Sequence, residues 1–147
     1  MPLNFADFQS EMLKITDQSD PGFTVFPATA AEVAQRWAAC TRSYFEGMAA
    51  PTLLPGAHAL AEITMRAAMA VPTPASLVAG FSAYAATLAL NATPGLIVVP
   101  PAVPLVLPAL PSTDNPHPPA LAIATTVDTW ARTGTWTPGG PPPAPWS

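Results

Sequence analysis

The chain has 147 residues, half of them apolar and only 10% charged, with 21 prolines, one cysteine and a formal net charge of −4. Ordinary soluble domains carry roughly 25% charged residues, so this chain is short of the side chains that are cheapest to leave in water. Its five basic residues, Lys14, Arg36, Arg42, Arg66 and Arg132, are scattered and argue against a nucleic-acid partner, while the single Cys40 excludes an internal disulfide framework.

The chain starts without a basic segment followed by an apolar one, so no signal peptide is expected. A first helix is predicted from Asn4, as N-cap, to Thr16, with Phe5, Phe8, Met12 and Ile15 on one face. Asp17 to Gly22 is a turn cluster, and Phe23, Val25 and Phe26 form a short extended piece ended by Pro27. The second helix opens on a capping box, Thr29 with Glu32, and carries the stripe Val33, Trp37, Cys40 and Tyr44 with Met48 near its end. Gly47 and Pro51 stop it. A third helix from about Ala57 to Ala70 shows Leu60, Ile63 and Ala67 on one side. The fourth starts with Thr73 as N-cap and Pro74 at its first position, and its stripe is Leu77, Phe81, Tyr84 and Leu88. The rest of its surface is small and uncharged, which permits close approach and predicts burial on most sides. Trp37, Tyr44, Phe81, Tyr84 and Leu88 are the expected core.

From Thr93 to Pro119 the prolines forbid helix interiors and central strands, so the chain there is expected to be extended. Its Val, Leu and Ile content is unlike a solvated linker. Such an arm lies in a groove, either on its own helices or on a neighbour. A last helix follows from Pro119 to about Thr133, with Ile123, Val127 and Trp130 on its apolar side, and Gly134 to Thr137 has strand character. The ending, Pro138 to Ser147, shows no hydrogen-bonding regularity of its own. The predicted class is mainly α: a small bundle of four to five helices with long extended proline-rich arms. The organisation is a helical domain at 1–91, an extended apolar segment at 92–119, a helix and short strand at 120–137, and a proline-rich docking tail at 138–147.

Between Arg66 and Asp114 there is no Lys, Arg, Asp or Glu. A bilayer would cover such a stretch, but Ala75 to Leu90 is shorter than the ~20 residues a spanning helix needs. The prolines beyond it would leave backbone groups that lipid cannot satisfy. No membrane span is expected. Own core or neighbouring subunits remain, and the side chains chosen as an interface are Leu96, Val98, Val103, Leu105, Leu107, Trp136 and Trp146. Trp146 is the expected anchor of the tail, docked on a partner or folded back on its own helices.

The residues do not assemble into recognisable chemistry. His58 and His117 are far apart in sequence with no second ligand near either, so no metal is expected. His58 reads as an exposed helix-start residue, and Cys40 as a small buried hydrophobe. There is no Gly-x-Ser-x-Gly elbow, and Gly139 and Gly140 lack the Lys of a phosphate loop. No cofactor and no enzymatic activity are expected.

Capped alanine-rich helices with aromatic stripes are followed by Asp128, Thr129, Trp130, Ala131, Arg132, Thr133, Gly134 and Thr135, and the chain closes on Pro145, Trp146 and Ser147. In overall character this resembles the small alanine- and proline-rich virion structural proteins that tailed bacteriophages encode among their tail, neck and baseplate genes. The resemblance implies a non-enzymatic subunit located in the virion, assembled in the host cytoplasm, with other virion proteins and copies of itself as partners. A capsid decoration subunit is one alternative. Another is a cellular helical adaptor whose proline-rich tail recruits a peptide-binding module.

Overall fold

The structure, a computed structural model, describes residues 3–16, 29–49, 51–71, 73–108, 117–137 and 142–147. The turn cluster and extended piece expected between Asp17 and Pro27 lie outside the described residues, as do 109–116 and 138–141. In chain order the elements are α1 (Phe5–Thr16), α2 (Ala30–Glu46), α3 (Ala57–Ala68), α4 (Pro74–Leu90), β1 (Ile97–Val99), α5 (His117–Ala131), β2 (Thr135–Thr137) and β3 (Ala144–Pro145). The fold is mainly helical, with a small three-stranded antiparallel sheet in the order β1-β2-β3.

The helix starts follow local chemistry. Asn4 Oδ1 accepts from the N–H groups of Ala6 and Asp7, satisfying two donors that α1 cannot use internally. Thr29 accepts from Glu32 N–H while the Glu32 carboxylate accepts from Thr29 N–H, and Thr73 and Ser76 repeat this reciprocal pair at α4. Each such cap contributes about 1 kcal/mol.

The core is aromatic and lies between α1, α2 and α4. Phe8 of α1 sits 4.4 Å from Tyr44 of α2 and edge-on to Phe81 of α4. Phe45 stacks on Tyr84 at 5.2 Å. Tyr44, Phe81, Tyr84 and Leu88 are fully buried, whereas Trp37 is half-buried, packed edge-on against Phe81. Of the expected α2 stripe, Cys40 and Tyr44 are buried while Val33 and Trp37 are only half-buried; Ala34, Ala38, Thr41 and Phe45 complete the buried face, because α2 packs on both α1 and α3 and must bury two sides.

The third helix turns the opposite way from the expectation. Ala57, Ala61 and Met65 face inward, while Leu60 and Ile63 are 45% and 55% exposed. Small residues spaced by four let α4 come close: Met65 and Met69 lie over Gly80, Thr64 bonds Thr87 at 2.9 Å, and Leu54 N–H reaches the Asn91 carbonyl. The two helices therefore run antiparallel. Glu62 on the inner shoulder of α3 pairs with Arg42 of α2 at 3.0 Å, which fixes the rotation.

Candidate interaction surface

The seven side chains chosen from the sequence as an interface do not share one exposed face. Val103 is exposed, but Leu105 is buried, and Val98, Leu107 and Trp136 are half-buried against the core. Leu96 is half-buried. The described part of the arm therefore lies on its own helices. Trp130 Nε1–H donates to the Val103 carbonyl at 2.9 Å, and Leu105 joins the core. Beneath Val103 and Val106 a groove of about 360 Å3 is lined by Thr125, Thr129, Thr133 and Trp130 of the α5 region.

Of the two placements expected for Trp146, the structure has the one within its own chain, where it is 1% exposed. Its indole lies flat over Gly134 and edge-on to Phe45, with ring centroids 6.4 Å apart. Its backbone N–H donates to the Gly134 carbonyl at 2.9 Å, and its indole N–H to the Thr135 carbonyl. Ala49 N–H donates to the Ser147 carbonyl at 2.6 Å. The tail also has regularity that the sequence hid, since Ala144 and Pro145 pair with Trp136 and Thr135 as the third strand.

Side chains alternate across a sheet, and partners in register share a face. Val98, Trp136 and Ala144 form the inner face, and Val98 and Trp136 pack on the core. Ile97, Val99, Thr135, Thr137 and Pro145 form the outer face, on which Ile97 is 68% and Val99 45% exposed. Antiparallel sheets usually carry polar residues on the solvent side, yet this one carries no charge. Val106 at 75% exposure continues the apolar character along the arm. The sequence reading missed Ile97, Val99 and Val106. The sequence carries no signal for them, since Leu96 to Val99 is an unbroken apolar run; only the strand pairing places the two neighbours of Val98 on the face opposite to it.

The titratable groups are tied into packing. Tyr44 O–H donates to Asp128 at 2.6 Å, Asp128 pairs with Arg132 at 2.9 Å, and Arg132 donates to the Leu3 carbonyl. This chain of contacts locks α1, α2 and α5 together. His58 is half-buried beside Tyr84, 3.1 Å from its hydroxyl, rather than exposed. Burial lowers its pKa from the usual value, with Glu46 opposing and Arg42 adding to the shift. Among the described residues no group of three or more His, Cys, Asp or Glu could hold a metal ion, and no helix is long and apolar enough to cross a membrane.

Cys40 is buried, and burial, with the nearby Glu11 charge, pushes its thiol up to about 12 against a smaller opposing effect of Lys14. A thiol held neutral is a poor nucleophile. In native protein at pH 8, a thiol-disulfide reagent is expected to label Cys40 only at the rate of opening of the fold, and in urea at once. Immediate labelling of the native state would place Cys40 outside the core.

Against known proteins, no family model matches the chain, and neither a curated protein nor a solved structure matches it.

Proposed function

We propose that this protein is a non-enzymatic structural subunit of a tailed-phage virion, in the tail, neck or baseplate, assembling with other virion proteins and with copies of itself. The observation that supports this reading is the solvent-facing apolar surface. Leu60, Ile63, Val71, Leu90, Ile97, Val99, Val103 and Val106 are all exposed large hydrophobics, and all but Leu60 and Ile63 fall in the stretch without charge. Ile97, Val99, Val103 and Val106 follow one another along β1 and the arm, and an apolar patch that extends over a small chain marks an interaction surface. The adaptor reading needs a tail offered to a partner, whereas Trp146 and Ala144 are held in the chain's own sheet and core. The observation thus favours the subunit over the adaptor.

Mass spectrometry of gradient-purified particles, from a host strain producing them, tests the proposal. Peptides of this chain should co-purify with the major particle proteins at a fixed ratio. Their recovery in the soluble lysate, with none in the particles, would overturn it.

A further inference from the structure

The sheet has two edges, and they are chemically unlike. The β3 edge is two residues long and ends in Pro145, which has no N–H to offer. The β1 edge has no such block: Ile97, Val98 and Val99 all keep their N–H groups. Among the described residues, the backbone of these three bonds to β2 and to nothing else. Edge strands of this kind are normally protected by a charge, a proline within the strand or a covering element. Here Ile97 and Val99 are largely exposed, and prolines appear only beyond the strand, at Pro94, Pro100 and Pro101.

We propose that the β1 edge is a self-association surface, on which β1 of a second copy pairs antiparallel to make one sheet of order β3-β2-β1-β1-β2-β3. This rests on the assembly reading above and names the surface by which copies meet. Charge selects the occupant. The chain is acidic overall, at −4, so two copies repel wherever their carboxylates face each other. Residues 67–113 carry no charge, and a second copy approaching β1 with its own β1 brings none either. The contact is also self-complementary, as a two-fold interface must be. Centred on Val98, the pairing sets Ile97 of each copy opposite Val99 of the other. A three-residue strand supplies few hydrogen bonds. The joined outer face, Ile97, Val99, Thr135, Thr137 and Pro145 of each copy, therefore has to supply most of the affinity as a continuous apolar surface. The short strand, stopped by Pro100, limits the register to one setting.

Sedimentation velocity on the full chain decides this, with Val99→Lys as the variant. That side chain projects from the outer face, so lysine can reach water without disturbing β2, while its charge lies at the junction with the second copy. The wild type should sediment as a dimer or larger. Val99→Lys should weaken association at least tenfold, with unchanged far-ultraviolet circular dichroism. Ile63→Lys, on the exposed side of α3, serves as the matched control and should leave association unchanged. If Val99→Lys associates as the wild type does, or if Ile63→Lys alone breaks the oligomer, this surface is wrong while the assembly reading stands. If the wild type is monomeric at high concentration yet present in purified particles, the inference is likewise overturned and the subunit reading is not. A monomer absent from particles overturns both.

Discussion

Replacing Gly134 by alanine is expected to destabilise the protein by about 3 kcal/mol or more, approaching the 3–5 kcal/mol typical of deleting a buried tryptophan. A Cβ built on Gly134 would lie 2.7, 2.8 and 3.0 Å from Cδ2, Cε2 and Cγ of Trp146. The indole is a rigid plate and cannot bend away from such an overlap. It is also held at both ends, by its own N–H to the Thr135 carbonyl and by its backbone N–H to the Gly134 carbonyl. Either Trp146 leaves its seat against Phe45 or β2 moves, and both outcomes sacrifice core burial. Gly80→Ala is the informative contrast. There the new Cβ meets Cγ of Met69 at 3.0 Å and of Met65 at 3.1 Å, and methionine side chains adapt. An alanine inside α4 also gains about 1 kcal/mol of helix propensity over glycine. The two effects oppose each other, so Gly80→Ala should stay within about 1 kcal/mol of the wild type. Urea denaturation with slopes compared across the three proteins measures both changes. A Gly134→Ala midpoint equal to that of the wild type would mean that Trp146 does not sit where the structure places it.

The same contact shows what the sequence made legible and what it did not. Caps at Asn4, Thr29 and Thr73 depend on residues three apart, and all are present. The stripe Leu77, Phe81, Tyr84 and Leu88 is buried as expected because α4 has only one face with large side chains. Where a helix is apolar on several sides, periodicity stops discriminating. In α3 the leucine–isoleucine face is the more apolar, yet the alanine–methionine face is the buried one. The choice was made by close approach of α4 and by the Arg42–Glu62 pair, neither of which a local pattern contains. The tail was harder still. Trp146 and Gly134 are brought together by pairing of Ala144 with Trp136, a contact between prolines that local rules read as unstructured. As a result, Trp146, Leu105 and Trp136 were legible as important apolar side chains, but the sequence left open whether they face their own helices or a partner. The outward-facing set around Ile97 followed only once β1 was known to be a strand.

Raising the pH through the tyrosine range is expected to unfold the protein instead of titrating it. Tyr44 and Tyr84 are the two tyrosines in the chain, at 1% and 0% exposure. Burial pushes both phenols well above the usual value. For Tyr44 the hydrogen bond to Asp128 and that carboxylate's charge add to the rise, and Arg132 opposes it. For Tyr84 the Glu46 charge adds and Arg42 opposes. An unfolded tyrosine ionises near pH 10, so the folded state holds these protons more tightly than the unfolded one. Their contribution is complete below about pH 10 and is lost as the pH climbs toward the folded values, by roughly 1.4 kcal/mol per pH unit for each tyrosine. Two such groups remove on the order of 5 kcal/mol by pH 12, comparable with the whole stability of a marginal domain. Tyrosinate absorbance at 295 nm should therefore stay absent above pH 10 and then rise together with loss of helical circular dichroism, as one transition. Asp128→Asn separates the contributions. It keeps an acceptor for Tyr44 but removes the charge and the ion pair to Arg132, so about 2 kcal/mol should be lost at neutral pH and alkaline unfolding should set in at a lower pH. Two tyrosines titrating near pH 10 with the helical signal intact would show that the Tyr44–Asp128 contact is open to water, and with it the joint that holds α1, α2 and α5 together.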